Sequence, residues 1–286
     1  MKGLKIMNIL VTLDGNYVPH LIVMLKSLMF SNPDAHFDIY VAHSSLTDSH
    51  FKQMEKNVDL TRTKIHPVKV SDSLFKNAPI LKRTAKETYF RLLLSEYLPE
   101  SVDRILYIDP DTVVINPIDS LYNIDFKGNI IAAAGHTKGI VELLNHLRLH
   151  IGKNKKYVNA GIMMMNVAEM RKSVKTEDIF SYIKENGKRL YLADQDVING
   201  MFWDRTINID PCIYNLDEKT VYYHKIDPGT GWIDKHTVIV HFNGSEKPWK
   251  DEYNGVLAPY YFRYKNMNPK FLGSSRKGGG KKGKSA

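Results

Sequence analysis

The chain has 286 residues, 43% of them hydrophobic, enough for one large domain or two small ones. A single cysteine, Cys212, excludes an internal disulfide, and no apolar run reaches the roughly 20 residues that span a bilayer. The net charge of +9 is local: after Glu252 there are no acids but eight Lys and Arg, so the body is near neutral and no nucleic-acid surface is expected. No basic start, apolar run and small-residue cleavage site come together at the N-terminus, so a reducing, cytoplasmic setting is expected.

Taken in chain order, Ile6–Asp14 ("IMNILVTLD") reads as a strand ending in a turn, and His20–Phe30 as a largely buried helix with Pro19 in its first turn. "FDIYVAH" is a second strand, "TDSHFKQMEKNV" an exposed helix capped by Thr47, and "TKIHPVKV" a third strand. Lys86–Pro99 reads as an amphipathic helix stopped by proline, and "RILYIDPDTVVI" as a fourth strand. In the second half "NIIAAAGH" and "NAGIMMMNV" read as buried strands, "TEDIFSYIKENG" as a helix closed by Gly187, Asp194–Phe202 as a short helix and "HTVIVHFNG" as a last strand. Alternating strands and helices predict an α/β fold around a central, mostly parallel sheet flanked by helices. Residues 1–252 form the expected body, 253–272 an aromatic and basic extension, and 273–286, almost free of apolar residues, a disordered tail. The extension "PYYFRYKNMNPKF" interleaves aromatics with Arg263, Lys265 and Lys270, a composition suited to peripheral contact with an anionic membrane.

The informative stretch is the end of the fourth strand, where Asp109 and Asp111 bracket a proline. Two carboxylates two residues apart on an extended chain face the same way, so a shared ligand would be a hard divalent cation, Mn²⁺ or Mg²⁺. In open sheets ligands bind outside the carboxyl ends of parallel strands. A solvated turn capped by the two acids is the plainer reading of an isolated D-x-D. An apolar strand ending in D-x-D-x-T also fits haloacid-dehalogenase-like phosphatases, with Asp109 as nucleophile.

Six segments in order, "LDGNYVPHL", "TYFRLLLSEYLP", "RILYIDPDTVVI", "NAGIMMMNV", "DQDVING" and "HFNGSEKPW", span Leu13 to Trp249. Together they resemble glycosyltransferase family 8, which includes bacterial lipopolysaccharide galactosyl- and glucosyltransferases and glycogenin. The resemblance implies a single GT-A-type, Rossmann-like nucleotide-sugar domain. It also implies Mn²⁺-dependent transfer of a hexose from UDP-galactose or UDP-glucose with retention of configuration. The acceptor would be a saccharide, a lipid-linked molecule or a protein; a self-glucosylating or non-catalytic nucleotide-sugar-binding protein is the alternative.

By the same resemblance Thr12, Asp14, Asn16 and Tyr17 hold the uridine, Arg91 lies near the donor, and Asp109, Asp111 and His241 bind the metal. Asn159, Asp194 and Gln195 contact the donor sugar, with Gln195 at the reacting face, while Gly244 and Lys247 meet the diphosphate. Read alone, Asp194 is an N-cap and His241 a packed strand-end histidine. After "NIIAAAG", where the lipopolysaccharide galactosyltransferases carry an acid, this chain has His136, so donor choice stays open.

Overall fold

Short apolar runs with no polar face must be covered on both sides, which a parallel sheet between helices achieves. The computed structural model describes residues 6–71, 74, 86–135 and 139–269. Seven strands form one sheet: β1 (Ile6–Thr12), β2 (His36–His43), β3 (Thr63–Lys69), β4 (Arg104–Ile108), β6 (Ile131–Gly135), β7 (Val158–Asn166) and β8 (Thr206–Ile209). Their order is β3-β2-β1-β4-β7-β6-β8. All neighbours are parallel except at β7, which runs against both β4 and β6. Along β1, Ile9 and Val11 pack with Leu21, Leu25 and Leu28 of the helix Val18–Ser31, while Leu10 packs on the other face with Phe90 and Tyr107. Burying each such side chain contributes about 1.5–3 kcal/mol.

Three local readings change. The expected fourth strand is split, because Pro110 cannot donate to a ladder. Beyond Asp111 the chain leaves the main sheet as β5 (Thr112–Val114) and pairs antiparallel with β9 (Ile239–His241). Lys86–Pro99 is not an amphipathic helix but two 3₁₀ turns, Lys86–Leu92 and Leu94–Glu96. Phe90 through Leu94 are all buried, so no polar stripe exists, and tertiary contacts override helix propensity. Gly187 ends the helix Thr176–Asn186 in ordinary right-handed geometry and continues into a 3₁₀ turn, so it is no left-handed cap.

The helix Ala258–Lys265 turns its three tyrosines inward and leaves Phe262 exposed. Tyr260, Tyr261 and Tyr264 are buried in a cluster with Val113 and Val240, so they are withdrawn from any membrane. Residues 273–286 of the expected tail, and His136, lie outside the described residues.

This helix also creates a pH dependence. His20 stacks on Trp249 with ring centroids 3.5 Å apart, and its Nδ1 lies 2.8 Å from the Tyr261 hydroxyl. Burial, aided by Lys265 and Lys247 against an opposing pull from Asp111, lowers its pKa to about 4. Between about 6.5 and that value the unfolded chain binds a proton that the folded chain refuses. Stability should therefore fall as pH drops across that window. A His20→Gln variant should show a flatter melting-temperature profile over the same range, checked by thermal denaturation; an identical slope would remove His20 as the cause.

Candidate active site

The chain steps from β1 outward through β2 to β3, then returns to the other side of β1 as β4. Strand order thus reverses between β1 and β4, and a crevice opens outside their carboxyl ends. β1 delivers Thr12 there, and the turn after β4 delivers Asp109 and Asp111. Because β7 is reversed, it brings its beginning, Asn159 to Gly161, to the same rim. The β4–β7 ladder runs one step past the strand, with Asp109 N–H donating to Gly161 O at 2.7 Å. A pocket of about 420 Å³ lies here, lined among others by Arg91, Asp109, Asp111, Asp194, Gln195 and His241.

His241 arrives by a different route from the one expected. It does not end a strand of the main sheet; register in the antiparallel pair sets it opposite Thr112, beside Asp111. Its Nε2 is 3.3 Å from Asp111 Oδ1 and 3.9 Å from Asp109 Oδ2. One donor atom from each of the three residues lies within 4.8 Å of the others.

A chain of amides determines which way the histidine faces. Gly161 N–H can only donate, and it donates to Asn159 Oδ1 at 3.0 Å, so that oxygen's identity is certain. Asn215 must therefore offer its Nδ2 to the same oxygen, also at 3.0 Å, and its own Oδ1 turns to His241 Nδ1 at 2.8 Å. In the neutral ring the proton sits on Nδ1, and the Nε2 lone pair points at the two carboxylates. Asp111 Oδ1 is buried with no hydrogen-bond donor. Two carboxylate oxygens, one of them orphaned, and an imidazole nitrogen are a donor set that fits Mn²⁺ or Mg²⁺.

Cations balance the remaining charge. Lys247 Nζ donates to Asp111 Oδ2 and to Phe242 O, each at 2.6 Å. Burial pushes the Asp111 carboxyl up, and this is outweighed by His241 when its ring is protonated and by Lys247, so the carboxyl is held below the usual range. Arg91 is buried among three partners: Asp109 Oδ1 at 3.1 Å, Asp194 Oδ2 at 3.2 Å and Ala160 O at 2.7 Å. Its guanidinium lies 4.2 Å from the Tyr107 ring centre. Burial opposes its charge, but Asp109, the Tyr107 hydroxyl and Asp194 outweigh it. Asp194 is no N-cap; it lies buried in the first turn of the helix Ala193–Phe202. Burial pushes its carboxyl up to about 6, with Arg91 pulling down and Asp109 pushing up.

Gln195 is held at both ends of its amide. Its Oε1 accepts from Asn159 Nδ2 at 3.1 Å and Ala160 N–H at 3.2 Å, and its Nε2 donates to the Tyr157 hydroxyl at 3.0 Å. That hydroxyl donates to Asp196, which is fully buried and held by both Arg148 terminal nitrogens.

The other expected residues stand around this core. Thr12 meets Asp109 through Tyr107, whose hydroxyl lies 3.0 Å from Thr12 Oγ1 and donates to Asp109. Asp14 uses one oxygen to cap the turn Gly15–Tyr17 through Asn16 N–H, and Asn16 itself is exposed. Tyr17 feels burial first, then Asp111, Asp109 and Asp14, all raising its hydroxyl pKa, so it stands within electrostatic reach of the acids. Gly244 is exposed, and a methyl there would meet nothing closer than Glu246 O at 3.7 Å, so no protein neighbour requires a glycine.

Sequence reasoning missed Asn215, Tyr157, Asp196 and the pocket residues Tyr191, Lys219 and Asn243. Tyr107 shares strand parity with Asp109 and was accessible to a period-two reading. Asn215 carried no such signal.

A family model described as glycosyl transferase family 8 matches residues 8–253. General stress protein A of Bacillus subtilis is 26% identical over 279 residues, covering 92% of this chain and 94% of that protein. Lipopolysaccharide 1,2-glucosyltransferase from Escherichia coli is 26% identical over 272 residues, covering 90% of this chain and 77% of its own length. Galactosyltransferase LgtC, solved in complex with donor and acceptor sugar analogs, shares the fold with a TM-score of 0.76 at 22% identity, over 91% of this chain and 95% of its own. The family match takes in all of the main sheet but the first two residues of β1, together with every residue of the site, and the chain belongs to glycosyl transferase family 8.

Proposed function

We propose that the pocket binds UDP-galactose or UDP-glucose with Mn²⁺, or Mg²⁺, on Asp109, Asp111 and His241, and transfers the hexose with its anomeric configuration retained. The observation that carries this reading is the orphaned Asp111 oxygen facing an imidazole lone pair fixed by Asn215. Relatives named as lipopolysaccharide 1,2-glucosyltransferase and lipopolysaccharide 1,3-galactosyltransferase support a hexose donor and a saccharide acceptor. Bound there, a divalent cation would supply a Lewis acid for the charge developing on the departing diphosphate. Lys247 adds a point charge toward that diphosphate, its loop positioned by Trp249 stacked on His20. Asp14 and Tyr17 receive the uracil, while Arg91, Asn159 and Asp194 orient the sugar. Where retaining chemistry passes through a covalent intermediate, the usual nucleophile is a carboxylate. Gln195 is an uncharged amide tied at both ends, which favours attack by the acceptor on the face the diphosphate leaves. Self-glycosylation at Tyr260, Tyr261 or Tyr264 is disfavoured because all three are buried.

The test is thermal shift with UDP and a hydrolysis screen of UDP-sugars, each in Mn²⁺ and in EDTA. Without an ion the diphosphate faces two carboxylates, so stabilisation should require the metal. At a hundredfold excess over Kd it should reach ~2.7 kcal/mol. Equal stabilisation in EDTA would remove the metal bridge; release of phosphate from simple esters instead would favour phosphatase chemistry at Asp109.

A further inference from the structure

The helix Gly139–Leu149 carries its apolar side chains on the outside. Ile140, Val141, Leu143, Leu144 and Leu147 are between 51% and 67% exposed, whereas Asn145 and Leu149 are buried. At 3.6 residues per turn, Ile140, Leu143, Leu144 and Leu147 fall within an arc of about 100°. Tyr191 and Leu192, both exposed, extend the patch. Arg148 joins them to the helix, its guanidinium 4.9 Å from the Tyr191 ring centre while it grips Asp196. These seven are more than half of the thirteen large apolar side chains exposed among the described residues, so the patch is a concentration and not ordinary scatter.

We propose that this face is an interfacial anchor seated on an anionic lipid bilayer, with the mouth of the sugar pocket beside it. Charge selects a bilayer over a second copy of the chain. Exposed Lys153 and Lys156 follow the helix, and exposed Lys188 and Arg189 reach its end, where Arg189 lies 2.6 Å from His150 Nε2. Glu142, the one acid on the helix, is paired with Lys156 at 3.2 Å. A two-fold contact through this face would bring these cations against their own copies; anionic headgroups neutralise them while the leucines enter the acyl boundary. Tyr191 and Leu192 belong to the patch and also line the pocket. The acceptor is therefore a lipid-linked saccharide entering from the membrane plane, a clause that rests on the transferase reading above.

The experiment is flotation of the full chain with phosphatidylcholine vesicles, with and without phosphatidylglycerol. It compares wild type, Leu143→Gln/Leu147→Gln, Lys153→Glu/Lys188→Glu and a chain ending at residue 269. Wild type should bind the anionic vesicles. The leucine pair should bind about tenfold more weakly or worse even at high salt, and the charge pair should lose the preference for phosphatidylglycerol. Both should keep the wild-type melting temperature and UDP-sugar hydrolysis, since neither touches the pocket; absence of hydrolysis in wild type would fault the pocket reading and not the anchor. Three results overturn the anchor: unchanged flotation of the leucine pair, binding lost wholly with the residues after 269, or a wild-type dimer in light scattering that the leucine pair dissociates.

Discussion

Gly161→Ala should cut metal-dependent turnover by about a hundredfold or more, with the rest of the sheet still folded. A Cβ at this position would lie 2.3 Å from His241 Cε1 and 2.6 Å from Asp109 Oδ2. Neither is the loose end of a flexible chain: Asn215 holds the imidazole, and Asp109 sits where β4 ends. Gly161 has no left-handed backbone, so alanine suits its conformation and the whole effect is steric. The methyl must push His241 from Asp109, opening the donor set from within. Titrating Mn²⁺ against UDP-sugar hydrolysis measures this, with thermal denaturation as the folding control. A folded variant with wild-type Mn²⁺ dependence would dissolve the three-residue site.

Arg91→Met should be the most damaging substitution for stability. Methionine fills the space but leaves Asp109 and Asp194 facing each other without their common cation. Removing one partner of a buried pair costs about 3–5 kcal/mol. At roughly 2–4 °C per kcal/mol for a chain of this size, the melting temperature should fall by about 10 °C. The loss should depend on pH in a specific direction. Asp194 already titrates at about 6, above its unfolded value of 3.8, so its folded form holds a proton that the unfolded chain releases. That preference stabilises at low pH and is lost as pH rises through the folded pKa. Without Arg91 the carboxyl should move higher still, so destabilisation should be greater at about pH 8 than at about pH 5. A melting-temperature difference between variant and wild type that is flat across this range would separate Asp194 from Arg91.

The strands were legible where apolar runs were short and bounded by turns, as in Ile6–Asp14 and "FDIYVAH". The helix at Val18–Ser31 was legible because Pro19 marks its start. Strand direction was not: "NAGIMMMNV" is apolar throughout, and a run buried on both faces looks the same read either way. The reversal of β7, which takes Gly161 to Asp109 and His241, was therefore invisible. Lys86–Pro99 was misread because its central stretch, Tyr89 to Leu94, is buried all round and has no period to measure. The acids and the histidine were picked out by the family resemblance, because alone a D-x-D is most plainly a solvated turn and a strand-end imidazole a packed one. Asn215 and Tyr157 were not, since an isolated amide or phenol in a sequence says nothing about which way its donors will point. The physical content of the site lies as much in those silent residues as in the conspicuous ones.

The antiparallel pair β5–β9 has a consequence for synthesis. Asp111 leaves the ribosome 130 residues ahead of His241. At about 5–20 residues per second, the interval is roughly 6–26 s. During that time β1 to β4 can assemble with both carboxylates, yet the imidazole that will face them has not been made. An all-oxygen pair favours Mg²⁺, and the imidazole shifts preference toward Mn²⁺. On the metal reading proposed above, preference between the two ions would be set only once β9 docks on β5, after β1 to β4 have had that interval to form.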